Sequence, residues 1–194
     1  MSGNAGGDRY LTLVNRGTTG KLAKRLGLPR PPVLARFDPA QPLPTRPVVV
    51  LGDGKDADAV AHQLLQWDLD VRRTPPPNDL IHAVLVVLTD ATTPADLEAP
   101  MLGLAGCLRA VAPNGRVVTL SRSTDVTGPP ALAATRRGIE GVLRSLAHEM
   151  RGGATANGLV LGETVGVDAP AVVAGIRFFL SAKSAYVDGQ PLAV

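Results

Sequence analysis

From residue 48 onward the apolar residues follow two alternating rhythms. Val48-Val49-Val50-Leu51 is a short all-apolar run closed by Gly52. Val60, Leu64, Leu65 and Trp67 follow at helical spacing, which predicts a helix over the next dozen residues. A second short strand fits 69–72. Beyond the prolines at 75–77, residues 82–88 form a near-continuous apolar run, the pattern of a strand buried on both faces. A helix is predicted over 95–110, a turn at 113–115 and a strand over 116–120. A long helix then covers 131–150, with Leu132, Ile139, Val142, Leu143, Leu146 and Met150 on one face and Gly152-Gly153 to stop it. A strand over 159–161, a helix over 170–180 and a short strand over 192–194 complete the series.

Strands alternating with helices through short connections predict a parallel sheet with helices on both faces, a three-layer doubly wound α/β architecture. Ligands of such sheets bind beyond the carboxyl ends of the strands. The loops that matter are therefore 52–58, 89–94, 121–130 and 162–168.

Upstream of residue 47 the pattern changes. Leu22, Leu26 and Leu28 suit a short amphipathic helix starting near Thr18 or Thr19. Seven prolines then fall between Pro29 and Pro47; each fixes φ and removes a donor, so this segment is expected to be an extended strap. Leu34 and Phe37 favour its docking on a surface. The expected division is an arm and strap over 1–46 and an α/β domain over 47–194.

Charge sharpens that division. Residues 1–46 hold eight Lys or Arg against two acids, whereas residues 47–194 hold twelve against fifteen. The body is thus acidic, which argues against nucleic acid as a partner, and the basic groups Arg9, Arg16, Lys21, Lys24 and Arg25 sit on the appendage. The chain is 45% hydrophobic, enough for a real core. It has no membrane-length apolar run, no apolar leader in MSGNAGGDRY and a single cysteine. A cytoplasmic setting is the expectation.

The first loop reads Gly52-Asp53-Gly54-Lys55-Asp56-Ala57-Asp58. A phosphate cradle needs glycines there, so that backbone N–H groups and the helix terminus can meet the anion. Here three carboxylates surround two glycines, which reads as an acidic helix cap. His62, His82 and His148 lack metal spacing, Cys107 reads as a buried small hydrophobe, and Trp67, Phe178 and Phe179 read as core. Ser121, Ser123 and Asp125 have no base beside them, and Glu163 and Asp168 read as turn and cap residues.

Gly141-Val142-Leu143-Arg144-Ser145-Leu146-Ala147-His148-Glu149 and Tyr186-Val187-Asp188-Gly189-Gln190 resemble two segments of the short-chain dehydrogenases/reductases, a Rossmann-like family. The resemblance covers 47–194, but the family's functional positions are changed. Its tyrosine falls on Leu132 and its lysine on Arg136. Its glycine motif falls on Leu51, Gly52, Asp56 and Asp58, and its Asn-Asn-Ala-Gly falls on Thr89-Asp90-Ala91-Thr92. That family's reaction needs a phenol made acidic by a neighbouring ammonium; leucine has no proton to give, and a guanidinium is not an ammonium. Between 72 and 82 there is also no room for one helix and strand of the full family fold. Deleting them leaves a flavodoxin-like strand order 2-1-3-4-5 plus a short extra strand.

Asp8-Arg9-Tyr10-Leu11, Leu13-Val14-Asn15, Leu26-Gly27-Leu28-Pro29, Arg36-Phe37, Gln41-Pro42-Leu43, Arg151-Gly152-Gly153-Ala154-Thr155 and Leu180-Ser181-Ala182-Lys183 are similar to one branch, the actinobacterial high-molecular-weight 3-oxoacyl-[acyl-carrier-protein] reductases. The resemblance implies the flavodoxin-like N-terminal half, without active-site residues, of a two-domain enzyme of fatty-acid synthesis. It implies no cofactor in this chain, with NADPH or NADH in the reductase half, and a homo-oligomer when both halves are present. The expected partner is a ketoreductase domain, in cis or in trans, met through Ala134, Arg137, Gly138, Gly141 and Arg144 on the long helix. Acyl carrier protein is a further partner, through the basic arm. The alternative reading is a free-standing module that binds a nucleotide or flavin in the old crevice.

Overall fold

The computed structural model describes Val14 and residues 17–28, 31–125 and 127–194. Arg9, Arg16, Pro29 and the motif residues 8–13 and Asn15 lie outside the described residues. The chain divides into two compact units, 1–34 and 35–194. In the first, α1 (Gly17–Arg25) places Lys24 and Arg25 in its last turn, where cations complement the helix dipole. Its Leu22 is exposed.

The second unit is built on one sheet. Its strands are β1 (Val48–Leu51), β2 (Val71–Arg72), β3 (Ile81–Val87), β4 (Val111–Arg122), β5 (Thr155–Leu161) and β6 (Pro191–Ala193). The sheet order is β2-β1-β3-β4-β5-β6, and every pairing is parallel. This is the flavodoxin-like order with one added edge strand. Alternate residues of the central strands face opposite layers. Val48, Val50, Leu85, Leu120 and Leu159 pack with α2 (Gly54–Leu65) and α5 (Pro170–Leu180). Val49, Val84, Val86 and Val117 pack with α3 (Glu98–Cys107) and α4 (Pro130–Glu149). Both faces are apolar, so the central strands read as unbroken hydrophobic runs. Phe179, Ile176 and Leu64 are the bulkiest contributions of the helices to the first layer.

Several boundaries differ from the sequence expectation, each for a local reason. The helix expected over 95–110 is split: a 3-10 turn (Pro94–Leu97), capped reciprocally by Thr93 and Asp96, precedes α3, and a second (Leu108–Ala110) follows it. The strand expected over 116–120 begins at Val111. Its pairing passes from Ile81/Val111 to Ala83/Arg116, so the predicted turn survives as a bulge in which Asn114 takes φ +60°. Strand β2 shrinks because Asp68 turns the chain at φ +57° and Leu69 closes the end of α2 through the Leu64 carbonyl. Strand β5 extends back to Thr155 because its polar residues find partners in the segment before β6. Asn157 Nδ2 donates to the Val187 carbonyl at 2.8 Å and its Oδ1 accepts from the Gln190 amide at 3.1 Å, while the Asp188 carboxylate accepts from the Ala156 amide at 2.8 Å.

The strap residues 35–46 carry neither helix nor strand. They are held at Leu43, which packs on the first layer of the core, at Phe37, whose ring lies 4.5 Å from the Lys183 ammonium, and at Ala35, whose amide donates to Asn114 Oδ1 at 3.1 Å. Among the described residues no helix is long and apolar enough to cross a membrane.

Candidate functional site

The carboxyl ends of β1, β3, β4 and β5 open onto the loops singled out from the sequence. Strand β1 is followed by Gly52, which takes φ +114°, and α2 begins two residues after that glycine. Asp53 occupies the N-cap with extended backbone, yet its side chain makes no capping hydrogen bond. The expected acidic cap is thus present in position, with Asp53 at the N-cap and Asp56 in the first turn, but it makes no capping hydrogen bond. Asp56, in the first turn of α2, instead reaches across the strand ends. Its Oδ2 accepts from the Thr89 hydroxyl at 2.8 Å and lies 3.6 Å from Arg122 Nη2. Asp56 and Arg122 are both largely buried. Arg122 continues the tie by donating to the carbonyls of Gly162 and Val165. One carboxylate thus joins the loops after β1, β3 and β5 through the last residue of β4. A half-buried ion pair of this kind persists only where its remaining hydrogen-bonding capacity is met, and Thr89 and the two carbonyls meet it. The rest of the loop is fixed from outside: Arg73 donates to the Gly52 carbonyl and lies 4.0 Å from Asp58.

The second constellation sits at the start of α4. Leu132 is half-buried and carries only hydrocarbon. Arg136, one turn on, is 6% exposed, unlike Arg137 and Arg144 on the open flank of the same helix. Its guanidinium is committed to Glu163, with Nη2–Oε2 at 3.2 Å, and Nη1 also donates to the Ser123 carbonyl at 2.7 Å. Glu163 stands in a turn, as expected, and is an ion-pair residue as well. The guanidinium holds its carboxyl below the usual carboxylate range through that hydrogen bond. Ser121 is buried within β4, and the Ser123 hydroxyl accepts from the Asp125 amide at 3.1 Å. Among the described residues neither serine hydroxyl is hydrogen-bonded to a basic side chain. Asp168 does not cap α5, whose N-cap is Ala169 with Pro170 in the first turn.

A cavity of about 300 Å³ remains between the ends of β1 and β3 and the start of α3. Asp53, Thr89, Asp90, Asp96, Ala99 and Pro100 line it. The Asp96 carboxyl is pulled down to about 2 by the amides of Thr92 and Thr93 and by their hydroxyls, so it stays anionic at any physiological pH. The Asp53, Asp90 and Asp96 carboxylates repel a pyrophosphate at close range. The crevice does not fit the phosphate-bearing part of a dinucleotide.

The five expected partner residues do share a surface. Ala134, Arg137, Gly138, Gly141 and Arg144 are all exposed on α4. A Cβ added at Gly138 or Gly141 would meet nothing within 4 Å, so these glycines are not required by the packing of the body. Arg144 pairs along the helix with Glu140 at 3.8 Å, an exposed contact of small energetic weight. His62 and His148 are exposed. Cys107 is buried, and burial pushes its thiol up. Among the described residues no group of three His, Cys, Asp or Glu is placed to hold a metal ion. Trp67 is half-buried on the first layer, with Arg177 5.4 Å from its ring.

No protein-family model and no curated protein sequence matches the chain. Solved structures do. A short-chain dehydrogenase family protein from Francisella tularensis aligns at TM-score 0.59 and 12% identity, over 78% of this chain and 97% of that one. A short-chain dehydrogenase/reductase (glucose/ribitol dehydrogenase) from Brucella melitensis aligns at TM-score 0.60 and 13% identity, over 77% and 94%. The fold is that of the short-chain dehydrogenases/reductases. BdcA in complex with NADPH aligns at TM-score 0.54 and 15% identity, over 77% of this chain and 92% of that one. In this chain the dehydrogenase-like scaffold thus carries an acidic crevice, a leucine and a salt-bridged arginine at the places just described.

Proposed function

We propose that this chain is a catalytically silent dehydrogenase-fold domain that docks on and organises a ketoreductase domain of 3-oxoacyl-[acyl-carrier-protein] reduction, in cis or in trans. The observation that carries the reading is the Asp56–Thr89–Arg122 tie. It spends the glycine loop, which in a working dehydrogenase fold would admit a coenzyme, on an internal ion pair. The Arg136–Glu163 pair supports the same conclusion, because the cation at the start of α4 is already neutralised. With chemistry removed, what the scaffold still offers is surface, and α4 presents small residues flanked by two exposed arginines. Small residues let a second helix approach closely, and arginine is favoured at protein interfaces. Any NADPH or NADH would be held by the partner domain, and acyl carrier protein would be met by the assembly.

The test is association. Purified chain mixed with a separately expressed ketoreductase domain of a high-molecular-weight 3-oxoacyl-[acyl-carrier-protein] reductase should elute as a complex at micromolar concentration. Gly138→Glu with Gly141→Glu should abolish that complex while leaving the fold intact, since both positions are exposed. Persistent separation of the two proteins at that concentration would contradict docking.

A further inference from the structure

The opposite end of the sheet holds a feature that the crevice does not explain. Near the amino ends of β1 and β3, the strap borders an open cleft of about 350 Å³ against His82, Leu180 and Ala182. Arg36, Gln41, Thr45 and Arg46 line it from the strap side. Among the described residues neither arginine has a carboxylate within ion-pair distance. Asp38 is the one acidic residue of the lining, and its Oδ1 already accepts from the Ala40 amide at 2.9 Å.

The surroundings add positive charge. Arg116 is 1% exposed, its Nη1 is satisfied by the carbonyls of Asn114 and Gly115 at 2.9 Å each, and its Nε has no partner. Arg116 and Arg46 both act on His82 through space. His82 stays neutral, its Nε2 donating to the Leu180 carbonyl at 3.2 Å. Of the acids, Asp188 acts on Arg116 from a distance. The cleft is therefore a cationic recess with side-chain donors, set in a body that is acidic overall.

On the other side of Pro42, which lines both spaces, lies a second cavity of about 390 Å³. Its walls are Phe37, Ala174 and Phe178, with Arg177 and Lys183 at its margin. Phe37 thus forms an aromatic wall of this cavity. An anionic recess-filler joined to an apolar body would match the two spaces. Two guanidinium forks suit a tetrahedral dianion better than a single carboxylate, because each fork can take two oxygens.

We propose that the strap cleft binds a small organic phosphate, with its phosphoryl group between Arg36 and Arg46 and its apolar body in the groove between Phe37 and Phe178. The site is independent of the docking role and stands at the far end of the sheet from the crevice.

Calorimetry on the full chain at low salt, with inorganic phosphate and n-hexyl phosphate as probes, tests it. Hexyl phosphate should bind at least about tenfold more tightly than inorganic phosphate, since its alkyl chain leaves water. Arg36→Gln with Arg46→Gln should weaken hexyl phosphate by about tenfold or more. Phe37→Ala should bring hexyl phosphate down to the level of inorganic phosphate and leave the latter unchanged. By NMR, the His82 imidazole should titrate higher when hexyl phosphate is bound, because an anion beside it favours the protonated form. Equal affinity for the two probes, full affinity in the double arginine variant, or no heat together with an unmoved His82 titration would each overturn the proposal.

Discussion

Gly52→Ala is expected to destabilise the protein by about 3 kcal/mol or more, summing a strained backbone with an overpacked contact. Gly52 follows β1 at φ +114°, a conformation that residues with a Cβ rarely adopt. A Cβ there would also run into the carbonyl oxygen of Val87, at the end of the adjacent strand β3. That oxygen belongs to backbone in the centre of the sheet and cannot turn aside. Gly54 provides the internal contrast. It too has positive φ, +82°, but its Cβ would meet only the Asp90 carboxylate at 3.5 Å, an ordinary contact. Gly54→Ala should therefore cost about 1 kcal/mol, the backbone part alone. Urea unfolding of the two variants beside the parent protein checks this. Equal losses would mean that the close approach of β1 and β3 is not what holds Gly52 in place. Gly52 is thus a packing requirement, independent of any coenzyme.

Acid should weaken the fold through His82, by on the order of 3 kcal/mol near pH 4. Burial first, then the positive charge of Arg116, lowers its pKa to about 4 from an ordinary 6.5. Above pH 6.5 the side chain is neutral in both the folded and the unfolded chain, and it contributes nothing to pH dependence. Between 6.5 and about 4 the unfolded chain takes up a proton that the folded protein refuses, so stability falls as the pH drops through that window. His82→Gln keeps a donor for the Leu180 carbonyl and removes the titration. The difference in unfolding free energy between parent and variant should shift in favour of the variant from pH 7 to pH 4.5. Carboxylates such as Glu163, which titrate low in the folded state, lose their own contribution on acidification, but they do so in both proteins and cancel. A parent–variant difference that does not change with pH would show that the imidazole is not held neutral by its surroundings.

The architecture was legible because its signals are local. The near-continuous apolar run 82–88, short and β-branched, fits a strand covered on both faces, and the short connection after β2 leaves no space for another crossover. The ending at Gly152-Gly153 is equally direct, with both residues at positive φ. Strand β5 was half missed because Thr155, Ala156, Asn157 and Gly158 are small or polar. They are buried only because residues 187–190 return to satisfy them, about 30 positions further along the chain. The candidate site divides in the same way. That Leu132 and the aspartates cannot do a dehydrogenase's chemistry is a statement about residue types, and it is visible in the sequence. That Asp56 would find Arg122, and Arg136 would find Glu163, depends on strand order and register. The only available hint was an arginine at the end of an otherwise apolar strand, which needs an anion or carbonyls to be tolerated there.

On the proposed reading, the two pairs fasten the strand ends without a ligand. Here Thr89 and Arg122 converge on a carboxylate supplied by α2 itself. Removing Asp56 alone would leave Arg122 partly buried without its anion, which is more damaging than removing both. An open coenzyme seat would accordingly require changes at both residues, not a single reversion.

Calorimetric titration of the intact chain with NADPH at neutral pH and low salt tests the central claim, that the strand-end crevice is closed to a dinucleotide. The account predicts no saturable binding at millimolar NADPH, with the Asp56 and Thr89 resonances unmoved. Stoichiometric binding that perturbs those resonances would contradict it.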